Sequence, residues 1–243
     1  IAPALIRAGT TAGEVKITAS AKGLKSANAN VQLTAYDPNV LATNARAIYD
    51  FKKVKIDMGA HDQLVQFGWD FWHGKDEEKS SYKLPLFNNA EVNLTTNSAD
   101  GVLRWLGEMN VIGKYGFVYG DGVLGIDENG LRINFKGLPK GKYKLTTYHH
   151  APQSNSDEMD PNKDKLKEIR ILNIPYERKL TISAGENTKE VKVTEGKMMQ
   201  FQEPGKSTIL FNVQDDGTAK VNIQGTAVKG IWLNGIELQE WNK

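Results

Sequence analysis

Three short stretches of this chain concentrate the side chains that could do chemistry. Trp69, Phe71 and Trp72 crowd into VQFGWDFWHG directly after a strand-like run. Tyr115, Phe117 and Tyr119 alternate in KYGFVYGDG, which closes on a Gly120-Asp121-Gly122 turn. Tyr148-His149-His150 follows an alternating run. Aromatic faces on loops, mixed with Asp, His and Asn, suit a sugar: its C–H face stacks on a ring while side chains at the rim hydrogen-bond its hydroxyls. Core filling is the competing use of the same rings. Phe67, Phe117 and Trp232 lie in apolar runs and are expected in the core, whereas Trp72, Tyr119, Tyr148 and His150 stay open between the two uses.

Other chemistries are less supported. Carboxylate pairs can be nominated from Asp70, Glu108 and Asp121, but acid–base work depends on spatial separation and burial that spacing does not supply. There is no Gly-x-Ser-x-Gly elbow. His149 and His150 are adjacent on a strand, so they point to opposite faces and cannot both ligate one ion in regular backbone. His61 and His73 lack the i, i+4 spacing of a helical zinc site. Asp157, Asp160, Asn162 and Asp164 place four oxygen donors in one polar loop. That is the ligand type calcium prefers, although the loop lacks the glycine and distal glutamate of an EF-hand. No cofactor is expected, and a structural calcium in this loop is the one candidate.

Composition narrows the class. The 243 residues carry 31 basic and 29 acidic side chains, for a net charge of +2. So balanced a chain gives no electrostatic reason to expect nucleic acid as a partner. The absence of cysteine excludes disulfides, thiolate metal sites and cysteine nucleophiles without settling the compartment. No apolar run reaches the ~18–20 residues of a membrane span, so membrane insertion is not expected. No signal peptide is recognisable at the start. The chain opens at Ile1 within what reads as a structured segment, and is expected to be a piece or processed product of a larger protein.

Positioning falls to short strands. Leu131, Ile133 and Phe135 alternate with Arg132, Asn134 and Lys136; Tyr143, Leu145 and Thr147 alternate with Lys142, Lys144 and Thr146. A period of two marks strands with one buried face, and the intervening Gly-Leu-Pro-Lys-Gly turn predicts a hairpin. Similar runs recur from Lys53 to the end, separated by turn signals every eight to twelve residues. This argues for an all-β jelly-roll sandwich. One stretch dissents: Val102, Leu103, Leu106 and Met109 have helical spacing behind Ser98 or Asp100, predicting a short helix over 98–110 that leaves Trp105 as core anchor or exposed platform. Before Lys53, EVKITAS and NVQLTAY read as closing strands of a small sandwich over residues 1–36, and Asp37-Pro38-Asn39 opens a linker over 37–52.

KVKIDMG with VQFGW, YGFVYGDGVLG, LRINFKGLPKGKYKLTTYHH, ILFNVQDDG and IWLNGIELQEW, in that order, resemble the malectin-like, galactose-binding-like carbohydrate-binding domains of bacterial polysaccharide-degrading enzymes. The resemblance covers most of 53–241. The N-terminal piece is similar to the end of the Ig-like domain found late in glycoside hydrolase family two enzymes, which are β-galactosidase-like. It implies a galactose-binding-like sandwich over 53–243 that binds oligo- or polysaccharide without catalysing. It also implies a secreted or periplasmic parent whose catalytic domain is the second partner. A structural module that packs on that domain or mediates oligomerisation is the alternative. In malectin-like domains the ligand sits on loops at one end, touched by tyrosines, a phenylalanine and an aspartate. The resemblance thus implies a site from Trp69, Trp72, Tyr115, Tyr119, Asp121, Tyr148, His149 and His150. Lys229 joins them from Gly225–Gly230, a loop that here lacks malectin's aspartate and aromatics.

Overall fold

The computed structural model describes residues 12–23, 25–33, 53–60, 64–74, 79–106, 116–127, 129–151, 176–196, 204–226 and 230–241. The chain divides into two compact units, Ile1–Asp50 and Phe51–Lys243. Within the first, β1 (Gly13–Ala19) and β2 (Ala27–Leu33) form an antiparallel hairpin. Gly23 turns it at a φ of 83°, a left-handed conformation that costs glycine little.

The second unit is an all-β sandwich. One sheet contains β13 (Thr194–Glu195), β10 (Gly141–Ala151), β17 (Gly235–Glu240), β3 (Lys53–Gly59) and β4 (Asp70–His73), with β14 (Gly205–Val213) also paired to β10. The facing sheet runs β12 (Asn187–Lys192), β11 (Lys179–Ala184), β15 (Thr218–Gln224), β9 (Leu131–Lys136), β6 (Ala90–Thr96), β5 (Lys79–Leu84). A smaller sheet orders β16 (Gly230–Leu233), β8 (Gly122–Ile126) and β7 (Val102–Leu106). Apolar alternation drives the stacking. Leu131, Ile133 and Phe135 face inward from β9, and Tyr143 and Leu145 face them from β10. Phe211 on β14 stacks on Phe135 (centroids 5.5 Å) and Tyr143 (5.6 Å), stitching the sheets together.

Two expectations change. Residues 131–151 are two strands but no hairpin, because β9 pairs with β6 and β15 while β10 pairs with β14 and β17. The turn carries the chain from one sheet to the other. Leu138 is buried in it, Leu138 N–H donates to the Gly217 carbonyl (3.1 Å), and the Tyr143 hydroxyl donates to the Pro139 carbonyl (2.7 Å). Within the stretch 98–110 predicted as a helix, residues 102–106 form β7, antiparallel to β8, and 107–110 lie outside the described residues. Asp127 decides this locally: its carboxylate accepts both the Ser98 N–H (2.6 Å) and the Ser98 hydroxyl (2.7 Å), fixing the expected cap residue in a turn. Trp105 is core, packed against Trp72.

Candidate functional site

The face of the β10–β17–β3 sheet that points away from the core carries a second, smaller apolar cluster. Odd residues of β10 face the core, so Tyr148 and His150 stand on the outer face. Beside Tyr148, Gly235 on β17 lies between it and Asp57 on β3. A Cβ at Gly235 would come within 2.8 Å of the Ile56 carbonyl, 3.1 Å of Val118 and 3.2 Å of the Trp69 ring. The missing side chain is what lets Trp69 and Val118 rest on the strand backbone. Together Trp69, Val118, Tyr119 and Tyr148, with Val65 partly buried against them, cap this end of the face. Trp69 meets Tyr148 edge-on (5.4 Å), and Tyr119 lies 6.1 Å from Tyr148 and 5.9 Å from His150.

Polar groups lock the cap. Asn234 is the hub: its side-chain oxygen accepts His150 N–H (2.6 Å) and its amide donates to the Asp121 carbonyl (2.6 Å). Its backbone N–H donates to the Tyr148 carbonyl (3.0 Å), and its own carbonyl accepts Met58 N–H (3.1 Å). Asp57, fully buried, accepts Gln66 N–H at Oδ2 (2.7 Å), and Trp69 N–H donates to the Gln66 carbonyl (3.0 Å). These two bonds hold the 66–69 turn, which Gly68 completes at a φ of 78°. Burial pushes the Asp57 carboxyl up to about 7, against the opposing pull of backbone hydrogen bonds from Gln66 and Met58. The Tyr148 hydroxyl donates to Glu237 Oε1 (2.6 Å), and Glu237 also pairs with Lys53. Lys55 Nζ sits 5.7 Å from the centre of the Trp69 ring.

The two histidines do point to opposite faces. His149 is on the core side, with Nδ1 2.7 Å from the Trp232 carbonyl and Nε2 2.8 Å from the Thr147 hydroxyl. A carbonyl only accepts, so Nδ1 carries the proton and Nε2 accepts from Thr147. Burial holds both rings down to about 4, and both are neutral at pH 7. His150 Nδ1 lies 2.9 Å from the Thr194 hydroxyl, while its buried Nε2 has no hydrogen-bond partner among the described residues.

Of the expected site residues, Trp69, Tyr119, Asp121, Tyr148 and His150 come together at this end. Trp72 does not. It is 2% exposed in the main core, donates to the Ser80 hydroxyl (3.0 Å) and packs on Tyr82 (5.8 Å) and Trp105 (5.9 Å). His149 also goes to the core side. Tyr115, Lys229 and the Asp157, Asp160, Asn162, Asp164 quartet lie outside the described residues. Among the described residues no group of three or more His, Asp or Glu is placed to hold a metal, and no helix is long and apolar enough to cross a membrane.

The converging rings are a rigid base: Trp69 is 7% exposed and Tyr148 6%. Among the described residues, two rings that sequence reasoning sent to the core are exposed. Phe67 is 79% exposed at the tip of the 66–69 turn, and Phe117 is 41% exposed at the helical turn Gly116–Tyr119. Leu64 is 53% exposed on the same segment as Phe67. The missed signal was Gln66-Phe67-Gly68, where a glycine directly after an aromatic marks a turn tip.

No protein-family model and no curated relative matches the chain. Solved structures do overlap it. A Bacillus subtilis protein, YxiM, matches at 13% identity and a TM-score of 0.41, over 79% of this chain and 40% of its own. This chain therefore spans less than half the length of YxiM. A family 35 carbohydrate binding module from Clostridium thermocellum matches at 12% identity and a TM-score of 0.30, over 67% of this chain and 98% of the module. The CBM22-1 xylan-binding domain of Paenibacillus barcinonensis Xyn10C matches at 7% identity and a TM-score of 0.30, over 79% of this chain and 94% of the domain. At such identities and TM-scores the overlaps assign neither family nor ligand.

Proposed function

We propose that residues 53–243 form a non-catalytic carbohydrate-binding module, which holds glycan near the catalytic domain of a secreted or periplasmic glycoside hydrolase. One observation carries the reading. Phe67 and Phe117 project into solvent from two short segments whose following side chains, Trp69 and Val118–Tyr119, lock together on one sheet. Solvent-facing rings carried on a buried, hydrogen-bonded aromatic base are what stacking on a pyranose needs, because the backbone that presents them is already ordered. Tethering would then raise the local concentration of polymer at the catalytic domain. Calcium bound by Asp157, Asp160, Asn162 and Asp164 would stiffen the loop after β10.

A second reading is favoured by Leu64. Leu64, exposed on the same segment as Phe67, adds apolar surface of the kind that docks on a neighbouring domain. Affinity electrophoresis of the whole chain through gels containing soluble polysaccharides separates the two. Retardation that Phe67→Ala with Phe117→Ala abolishes supports glycan binding. Unretarded migration in every gel, with the same double variant weakening association with the catalytic domain, supports docking. Hydrolytic activity of the isolated chain would overturn both.

A further inference from the structure

The outer face of the same sheet continues beyond the aromatic cap, and its charge is one-sided. Alternation and register place Lys142 and Lys144 of β10, Lys53 and Lys55 of β3, and Lys206 of β14 on that face. Among the described residues, the carboxylates at its outward strand positions are Glu237 and Asp57. Glu237 pairs with Lys53, and Asp57 is buried beneath the cap. Trp241 joins the face beside Lys142: its N–H donates to the Lys142 carbonyl (2.7 Å), and Lys144 Nζ stands 4.4 Å from its ring centre. Two of the five ammonium groups are thus held over indole rings towards the two ends of the face, Lys55 at Trp69 and Lys144 at Trp241.

We infer that this lysine-lined face binds an anionic polysaccharide, one whose repeating carboxylate or sulfate groups lie along the sheet between Trp69 and Trp241. The inference rests on the carbohydrate-binding reading and names its ligand class. Strand pairing sets the β10 lysines about 10 Å from the β3 lysines, with β17 between them, and alternation spaces lysines of one strand about 7 Å apart. A rigid lattice of that pitch meets successive charges of a polymer without ordering a loop.

The test is isothermal titration of the whole chain with polygalacturonate, dextran sulfate, neutral dextran and a single-stranded oligonucleotide at several salt concentrations. The variants are Lys142→Gln with Lys144→Gln, and a control, Lys136→Gln with Lys220→Gln, on exposed positions of the opposite sheet. Binding to polygalacturonate or dextran sulfate is expected, and the preferred one identifies the anion. The first double variant should weaken it roughly tenfold and lower the slope of log K against log salt by about 1 to 1.5; the control should do neither. Equal loss in both variants would reduce the effect to net charge and overturn the inference. Tighter binding to the oligonucleotide, or equal binding to neutral dextran, would also overturn it. The dextran result would leave carbohydrate binding standing, whereas no binding to any saccharide removes both.

Discussion

Gly235→Ala is the perturbation that most directly probes how the aromatic cap is seated. The added methyl would lie 2.8 Å from the Ile56 carbonyl oxygen, closer than Cβ atoms approach backbone, with Val118 at 3.1 Å and the Trp69 ring at 3.2 Å. Because the nearest atom belongs to the adjoining strand, relief requires β3 to shift or the cap to lift. Overpacking of this kind costs about 1–3 kcal/mol. For a domain of this size that lowers Tm by about 2–4 °C per kcal/mol, so a drop of roughly 2–12 °C is expected. Gly141→Ala supplies the contrast: its nearest neighbour is Tyr143 at 3.8 Å, an ordinary contact. There the reduced freedom of the unfolded chain should leave stability unchanged or raise it by up to about 1 kcal/mol. Thermal unfolding followed by circular dichroism measures both, and tryptophan fluorescence reports on Trp69. Equal Tm values for Gly235→Ala and the parent would refute the claim that the glycine seats the cap.

Further outcomes follow from the same geometry. Burial lets Asp57 hold its proton in the folded state up to about 7, well above its ordinary value of 3.8. The folded protein therefore binds more protons than the unfolded one in that window, and this residue's contribution to stability falls as pH rises through it. His149 and His150, held down to about 4, act oppositely: their contribution is present above the unfolded value of 6.5 and is lost as pH falls toward 4. Urea titrations of Asp57→Asn and the parent between pH 5 and 8 should show the parent losing stability relative to the variant as pH rises. A constant difference would contradict the assigned burial. Phe211→Ala, which removes the ring between Phe135 and Tyr143, should cost about 3–5 kcal/mol in the same assay, whereas Phe67→Ala should cost less than about 0.5. If calcium occupies the Asp157–Asp164 loop, EDTA should lower Tm and Asp160→Asn should abolish that response; an unchanged Tm would remove the ion from the account.

Much of the sandwich could be read directly from residue order. The alternation of LRINFK and KYKLTT shows which side chains go inward, and the structure places them there. Alternation does not show which sheet a strand joins, since strands on opposite sides of one core carry the same pattern. That is why 131–151 read as a hairpin yet bridges two sheets. The helix expected over 98–110 gave way to a strand at 102–106 for a different reason. Val102, Leu103 and Leu106 fit either period over so short a run, and the deciding contact, Asp127 with Ser98, spans 29 positions. At the candidate site the aromatic segments were visible, and Trp69, Tyr119 and Tyr148 do converge. Which rings would stay exposed was not, because exposure at Phe67 depends on the buried Asp57 holding the backbone of Gln66.

The central claim is that the end of the sheet capped by Trp69, Tyr119 and Tyr148 presents Phe67 and Phe117 to a glycan. Affinity electrophoresis of the whole chain and of the Phe67→Ala, Phe117→Ala double variant, in gels with and without polysaccharide, tests it most directly. The account predicts retardation of the parent in at least one polysaccharide gel, its loss in the double variant, and unchanged thermal stability of that variant. Retardation that persists undiminished in a folded double variant would contradict it.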